Sequence, residues 1–174
     1  PEYNGYKVYW DDGGQLVAPH DRNVIAEVLK VGNPSNIRFG LKQELIEILD
    51  DRFDSYYTDS IRGLSMGLER NQRHSDLRIV FTPIHGSTVS LGPAALKAFG
   101  FTSVYGVAEQ DVVSGDFPTV KSPNPEEAEA LKMALDKGYE VNAELVMGTD
   151  PDGDRVGVAI KGPDGRFVLL NGNQ

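Results

Sequence analysis

Glu144-Leu145-Val146-Met147-Gly148-Thr149-Asp150-Pro151-Asp152-Gly153-Asp154-Arg155 runs from an apolar segment straight into three aspartates at alternate positions. Glu144 to Gly148 predicts a strand. Beyond the aspartates, Arg155 to Ile160 and Arg166 to Leu170 flank Pro163-Asp164-Gly165, turn chemistry that predicts a closing hairpin. Upstream, Arg78-Ile79-Val80-Phe81-Thr82 is a β-branched and aromatic run stopped by Pro83, followed by a helical pattern from Leu91 to Phe99 that ends at Gly100. Ser103 to Val107 predicts a further strand. A second helix is predicted from Asn124 as N-cap, with Pro125 at its first position, Glu127 reaching back and Gly138 as its stop. Strands and helices alternating in this way predict a three-layer α/β/α domain with a mostly parallel sheet and an antiparallel edge strand.

Further out, the stripe Leu41, Leu45, Ile48, Leu49, Phe53 fits a helix with acids on its other side. Asp21 is placed as the cap of a short helix whose Val24, Ile25, Val28 and Leu29 share a face and which Gly32-Asn33-Pro34 ends. Asn4-Gly5 reads as a turn feeding a strand through Tyr6, Val8 and Trp10, closed by Asp11-Asp12-Gly13-Gly14. The organisation expected is a remnant of a preceding domain plus linker at 1–40 and the α/β domain at 41–174. A chain that opens on Pro1 without Met is expected to be a segment of a longer protein.

At 174 residues there is material for one well-buried core. Hydrophobic residues at 40% and charged residues at 25% are ordinary for a soluble globular protein. Acidic residues outnumber basic ones, 26 to 17, and the net charge of −9 argues against general affinity for nucleic acid or anionic membranes. Any anionic ligand must therefore be held by local positive groups or a metal. Cysteine is absent, which excludes disulfides and thiol catalysis and fits a reducing, cytoplasmic setting. No apolar run is long enough for a membrane span.

The aspartate loop carries the chemistry. Pro151 fixes one backbone angle and Gly153 permits a tight bend, so Asp150, Asp152 and Asp154 can converge on one point. Three hard oxygen donors suit Mg²⁺, and the end of a strand is where open α/β sheets bind ligands. A calcium EF-hand loop starts in a similar way, but its sixth position requires Gly where Arg155 stands and its twelfth a carboxylate where Lys161 stands. The plain alternative is a solvated acidic turn between strands. Mutual repulsion of three like charges within five residues favours a cation. Elsewhere, His85 is either a phosphate donor or a loop histidine bonded to nearby backbone. Gly86-Ser87-Thr88 lacks the lysine and glycine spacing of a phosphate-binding loop and reads as helix entry. Trp10, Tyr56 and Tyr57 suggest packing surfaces, and His20 and His74 show no partner pattern.

Asp150-Pro151-Asp152-Gly153-Asp154-Arg155 resembles the metal-binding loop of the α-D-phosphohexomutases, the phosphoglucomutase and phosphomannomutase family. Other segments agree in order. Pro1 to Trp10 resembles the stretch after that family's catalytic serine loop, Thr82-Pro83-Ile84-His85-Gly86 a strand end of its second domain, and Leu170 to Gln174 the exit towards its third. Ser122-Pro123-Asn124-Pro125-Glu126 is similar too. The resemblance implies a four-domain enzyme that interconverts hexose 1-phosphate and hexose 6-phosphate through a phosphoserine and a bisphosphorylated sugar. It further implies Mg²⁺ on Asp150, Asp152 and Asp154, Arg155 beside the transferred phosphoryl group, and Lys7 contacting phosphate or assisting proton transfer. A phosphosugar and the remaining domains of the same chain would be the partners. The serine loop and the segments that grip the sugar fall outside these residues, so this polypeptide alone is expected to be inactive. A phosphopentomutase of the same family, or a non-catalytic acidic metal-binding module, are the alternatives.

Overall fold

The computed structural model describes residues 7–174, so the predicted turn at Asn4-Gly5 and the start of its strand at Tyr6 lie outside the described residues. The chain divides into two compact units, Pro1–Ile48 and Leu49–Gln174. In the first, Asp11-Asp12-Gly13-Gly14 makes a tight turn. Trp10 donates its N–H to the Gly14 carbonyl at 2.9 Å, Leu16 donates to Val8 at 2.8 Å, and Tyr9 bridges Gln15. Gly13 sits at φ +81°, a conformation that glycine adopts without steric cost.

Helix α1 (His20–Lys30) follows. Pro19 occupies its N-cap position, so Asp21 is a first-turn residue and not the cap, its carboxylate accepting from the Arg22 N–H at 2.7 Å. Trp10 stacks on His20 with ring centroids 4.8 Å apart, a partnership with no local sequence signal.

The predicted helix from Leu41 does not form. Its stripe yields a 3₁₀ turn at Gln43–Leu45, extended backbone at Ile46, and a helix, α2 (Asp51–Arg62), only after Asp50. The reason is local: Asp50 is itself an N-cap, accepting from the Arg52 N–H at 3.1 Å, and Leu41, Leu45 and Ile48 remain exposed. Without burial of an apolar face, a short helix does not hold. Helix α3 (Leu68–Arg73), unanticipated, leads into the sheet.

Five strands order as β2-β1-β3-β4-β5. β1 (Ile79–Thr82) pairs in parallel with β2 (Val104–Tyr105) and β3 (Leu145–Thr149). β4 (Val156–Lys161) runs antiparallel to β3, and β5 (Phe167–Leu170) antiparallel to β4. The sheet is therefore mixed, with the antiparallel edge made of the whole hairpin closed at Gly165, φ +78°. Alternation along β1 serves two helical layers. Phe81 lies against Gly92 of α4 (Leu91–Ala98), where a Cβ would come within 2.4 Å of its ring. Val80, on the other face, joins Val146 and Ala159 under Ala134 of α5 (Lys132–Glu140).

Helix α5 begins later than its cap signal. Asn124 does accept from the Glu126 N–H at 3.2 Å, but residues 125–131 form successive turns because Pro125 is pinned against β4. A Cβ on Gly157 would fall 2.0 Å from the Pro125 carbonyl oxygen. Gly138 is not the stop either. It is buried within α5, where a Cβ would press on Phe167 and Val146 at 2.9 Å, and the helix ends at Glu140 before Asn142 at φ +53°.

Arg78 ties the start of β1 to that of β3, donating from Nη2 to Glu144 at 2.6 Å and from Nε to the Asn142 carbonyl at 2.7 Å. Arg78→Ala is expected to cost about 1 kcal/mol in urea unfolding, since the pair is partly solvated. Among the described residues no helix is long and apolar enough to cross a membrane.

Candidate metal centre

The acidic loop lies at the end of β3, where Thr149 hands the chain to Asp150. Asp150 accepts two hydrogen bonds from one residue, the Arg155 backbone N–H at 3.0 Å and its Nε at 2.8 Å, while the Asp150 N–H returns to the Arg155 carbonyl at 3.3 Å. These bonds close the loop. Between them Gly153, at φ +76°, donates its N–H to the Asp150 carbonyl at 3.1 Å. The bend brings one carboxylate oxygen each of Asp150, Asp152 and Asp154 within 4.8 Å of one another.

The three acids are not equivalent. Asp150 is fully buried, whereas Asp152 and Asp154 are exposed. Burial pushes the Asp150 carboxyl up, but the Arg155 N–H and guanidinium outweigh it and hold the group below the usual carboxylate range. Arg155 also lies 3.8 Å from Asp154, and its side chain is 53% exposed. Three carboxylates against one guanidinium leave a local charge of −3 + 1 = −2.

The donors fit a divalent cation. Octahedral Mg²⁺ with bonds of about 2.1 Å sets neighbouring oxygens about 3 Å apart and opposite ones about 4.2 Å. From the outer limit of 4.8 Å an opposite pair has to close by about 0.6 Å and a neighbouring pair by up to about 1.8 Å, and two of the three acids, Asp152 and Asp154, are exposed side chains.

The turn after β1 forms the floor. Ser87 donates its N–H to the Pro151 carbonyl at 2.8 Å, and Thr88 Oγ1 meets Thr149 Oγ1 at 2.5 Å. Ser87–Val89 is a 3₁₀ turn leading into α4, in keeping with its reading as helix entry. A cleft of about 390 Å³ opens beside Asp152 and Gly153, walled by Phe53 and Tyr57 of α2 and by Ser87, Thr88 and Leu91. The sequence marked Tyr57 as a packing surface and Phe53 as part of a helical stripe, neither as a site residue, because α2 joins the site by tertiary packing alone.

His85 is 2% exposed and both ring nitrogens are engaged, Nδ1 with the Val112 carbonyl at 2.9 Å and Nε2 with Thr119 Oγ1 at 2.8 Å. Of its two readings, the bonded loop histidine is the one observed. Thus the structure gathers Asp150, Asp152, Asp154 and Arg155 at one point. Lys7 is an exposed residue of the first unit.

A family model described as phosphoglucomutase/phosphomannomutase, alpha/beta/alpha domain II, matches residues 55–165. A phosphoglucomutase of Staphylococcus haemolyticus is 35% identical over 99% of this chain and 32% of its own length. A probable phosphomannomutase of Haemophilus influenzae is also 35% identical, over 99% of this chain and 35% of its own. Glucose 1,6-bisphosphate synthase of Homo sapiens is 33% identical over 99% of this chain and 28% of its own. The chain thus spans about a third of the length of the curated relatives it matches. A putative phosphomannomutase of Thermus thermophilus has the same fold, with a TM-score of 0.64 at 21% identity over 89% of this chain and 32% of that one.

Proposed function

Because the chain belongs to the phosphoglucomutase/phosphomannomutase family, we propose that its acidic loop is the Mg²⁺ site of a phosphohexomutase acting on hexose 1- and 6-phosphates. The observation that carries this reading is the convergence of the three aspartate oxygens within 4.8 Å around a local charge of −2. Asp150, Asp152 and Asp154 would hold the ion. When bound, Mg²⁺ supplies positive charge and open coordination positions that stabilise a phosphoryl group in transfer.

The chain's own groups do the rest. Asp150 is the anchor: buried and doubly bonded, it aims the Arg155 guanidinium along the loop, leaving the exposed side of that fork for a phosphate oxygen. Asp152 opens onto the cleft beside α2, on the side from which a phosphorylated group can enter. Lys7 would contact phosphate or move a proton once the full protein assembles the site. Residues 1–40 would complete a preceding domain and 41–174 the metal-bearing one, with the phosphorylated serine supplied from elsewhere in the longer protein. A cytoplasmic setting, with which the absence of cysteine is in keeping, belongs to the same reading.

Calorimetry on this chain is expected to show weak Mg²⁺ binding that disappears in Asp152→Ala. The longer protein should interconvert glucose 1-phosphate and glucose 6-phosphate only with Mg²⁺ present. Unaltered binding in Asp152→Ala would remove the loop from the site.

A further inference from the structure

We propose that His85 is a positioning residue for the acidic loop: its buried imidazole fixes the Ile84–Ser87 turn that holds Pro151, and so sets the spacing of Asp150 and Asp152. The inference rests on the metal reading only for what that spacing is used for.

Two adjacent non-glycine residues, Ile84 at φ +45° and His85 at φ +62°, occupy the left-handed region. Each costs about 1–2 kcal/mol, so the surroundings must hold them there. Ile84 is clamped by burial against Ala130 and Leu131. His85 is clamped by a chain of hydrogen bonds. Thr82 Oγ1 donates to Gln110 Oε1 at 2.7 Å, Gln110 Nε2 donates to Thr119 Oγ1 at 3.1 Å, and Thr119 Oγ1 is hydrogen-bonded to His85 Nε2 at 2.8 Å. Because the Val112 carbonyl can only accept, His85 Nδ1 is the donor to it. The main chain is held as well, with the His85 N–H on the Gln110 carbonyl at 3.1 Å and the Ser114 N–H on the His85 carbonyl at 3.1 Å.

The turn so fixed acts on the loop. Gly86 donates its N–H to the Pro83 carbonyl at 2.8 Å, and the next amide, of Ser87, donates to the Pro151 carbonyl at 2.8 Å. Pro151 stands between Asp150 and Asp152. Residues Thr82, Gln110 and Thr119 form no hydrogen bond with the acids themselves, so any influence on them passes through the turn. Partners that orient metal ligands without touching the ion typically change affinity 10–100-fold when removed.

The test compares four variants of this chain by Mn²⁺ affinity, by hydrogen exchange of the Ser87 amide and by thermal midpoint. His85→Ala removes the imidazole, and Thr119→Val removes only the hydroxyl at Nε2. His85→Asn keeps a donor for Val112 and tolerates positive φ. Val146→Ala loosens the core beneath α5 without touching the turn. His85→Ala and Thr119→Val are expected to weaken Mn²⁺ binding at least tenfold and to speed Ser87 exchange, with partial recovery in His85→Asn. Val146→Ala should lower the midpoint and leave both loop readouts unchanged. Wild-type exchange at Ser87 in Thr119→Val and His85→Ala, or equal losses in Val146→Ala, would overturn the proposal. If the unaltered chain takes up no Mn²⁺, the metal reading fails and Ser87 exchange alone still decides the positioning role. If His85→Ala does not fold, Thr119→Val carries the decision.

Discussion

Gly86→Ala is expected to destabilise the protein by about 3 kcal/mol and to weaken Mg²⁺ binding at the same time. Gly86 sits at φ −91° and ψ −174°, extended backbone that alanine adopts freely, so the penalty is steric and not conformational. A Cβ there would stand 2.5 Å from Pro151 Cα, 2.8 Å from the Pro151 carbonyl oxygen and 2.9 Å from that of Pro83. All three are backbone atoms, so no side-chain rotation relieves the contact. Either the turn or the acidic loop has to move, and the Ser87 to Pro151 hydrogen bond is lost in both cases. Gly40, with nothing within 4 Å of its Cβ position, is the control. Gly40→Ala should be neutral or stabilising by about 0.4–1 kcal/mol, because it only restricts the unfolded chain. Urea unfolding and Mg²⁺ calorimetry on both variants give the comparison.

Asp150→Asn should abolish Mg²⁺ binding and cost about 2 kcal/mol at neutral pH. The amide keeps the shape but loses the charge that pairs with Arg155, and it cannot accept with both terminal atoms from the Arg155 N–H and Nε. The cost depends on pH with a definite sign. Burial pushes the Asp150 carboxyl up, yet the bonds and charge of Arg155 prevail and its folded pKa lies below the unfolded value of about 3.9. The carboxylate therefore stabilises the fold fully above that value and loses its contribution as pH falls through the folded pKa. Unfolding curves of wild type and Asp150→Asn should be well separated at pH 7 and draw together below about pH 4.

Much of this was legible in the sequence, for physical reasons that are uneven along the chain. Ile79 to Thr82, β-branched and aromatic throughout, is recognisable as a strand because burial on both faces demands a continuous run of such residues. Leu145 to Thr149, alternately half-buried and buried, is recognisable by the apolar run that opens it. Pro163-Asp164-Gly165 announces its hairpin because a turn is decided by a few adjacent residues. The acids at 150, 152 and 154 are a local pattern too, and they converge as their spacing suggested.

What the sequence hid depends on distant partners. That Asp150 is buried while Asp152 and Asp154 are exposed goes with the turn packed on Pro151, which is far away along the chain. The His85 network joins residues from Thr82 to Thr119, none of which signals the others. Helix boundaries failed where tertiary contacts overrode local chemistry. Asn124 offers a good cap, but the Pro125 carbonyl packed on Gly157 delays the helix to Lys132, and Leu41, Leu45 and Ile48 of the other stripe stay exposed.

Crystals grown or soaked in Mn²⁺, with anomalous diffraction measured at the manganese edge, test the central claim most directly. The expected result is a single strong peak bonded to oxygens of Asp150, Asp152 and Asp154 at the end of β3. Three carboxylates pointing apart with water alone between them, at saturating cation, would contradict it.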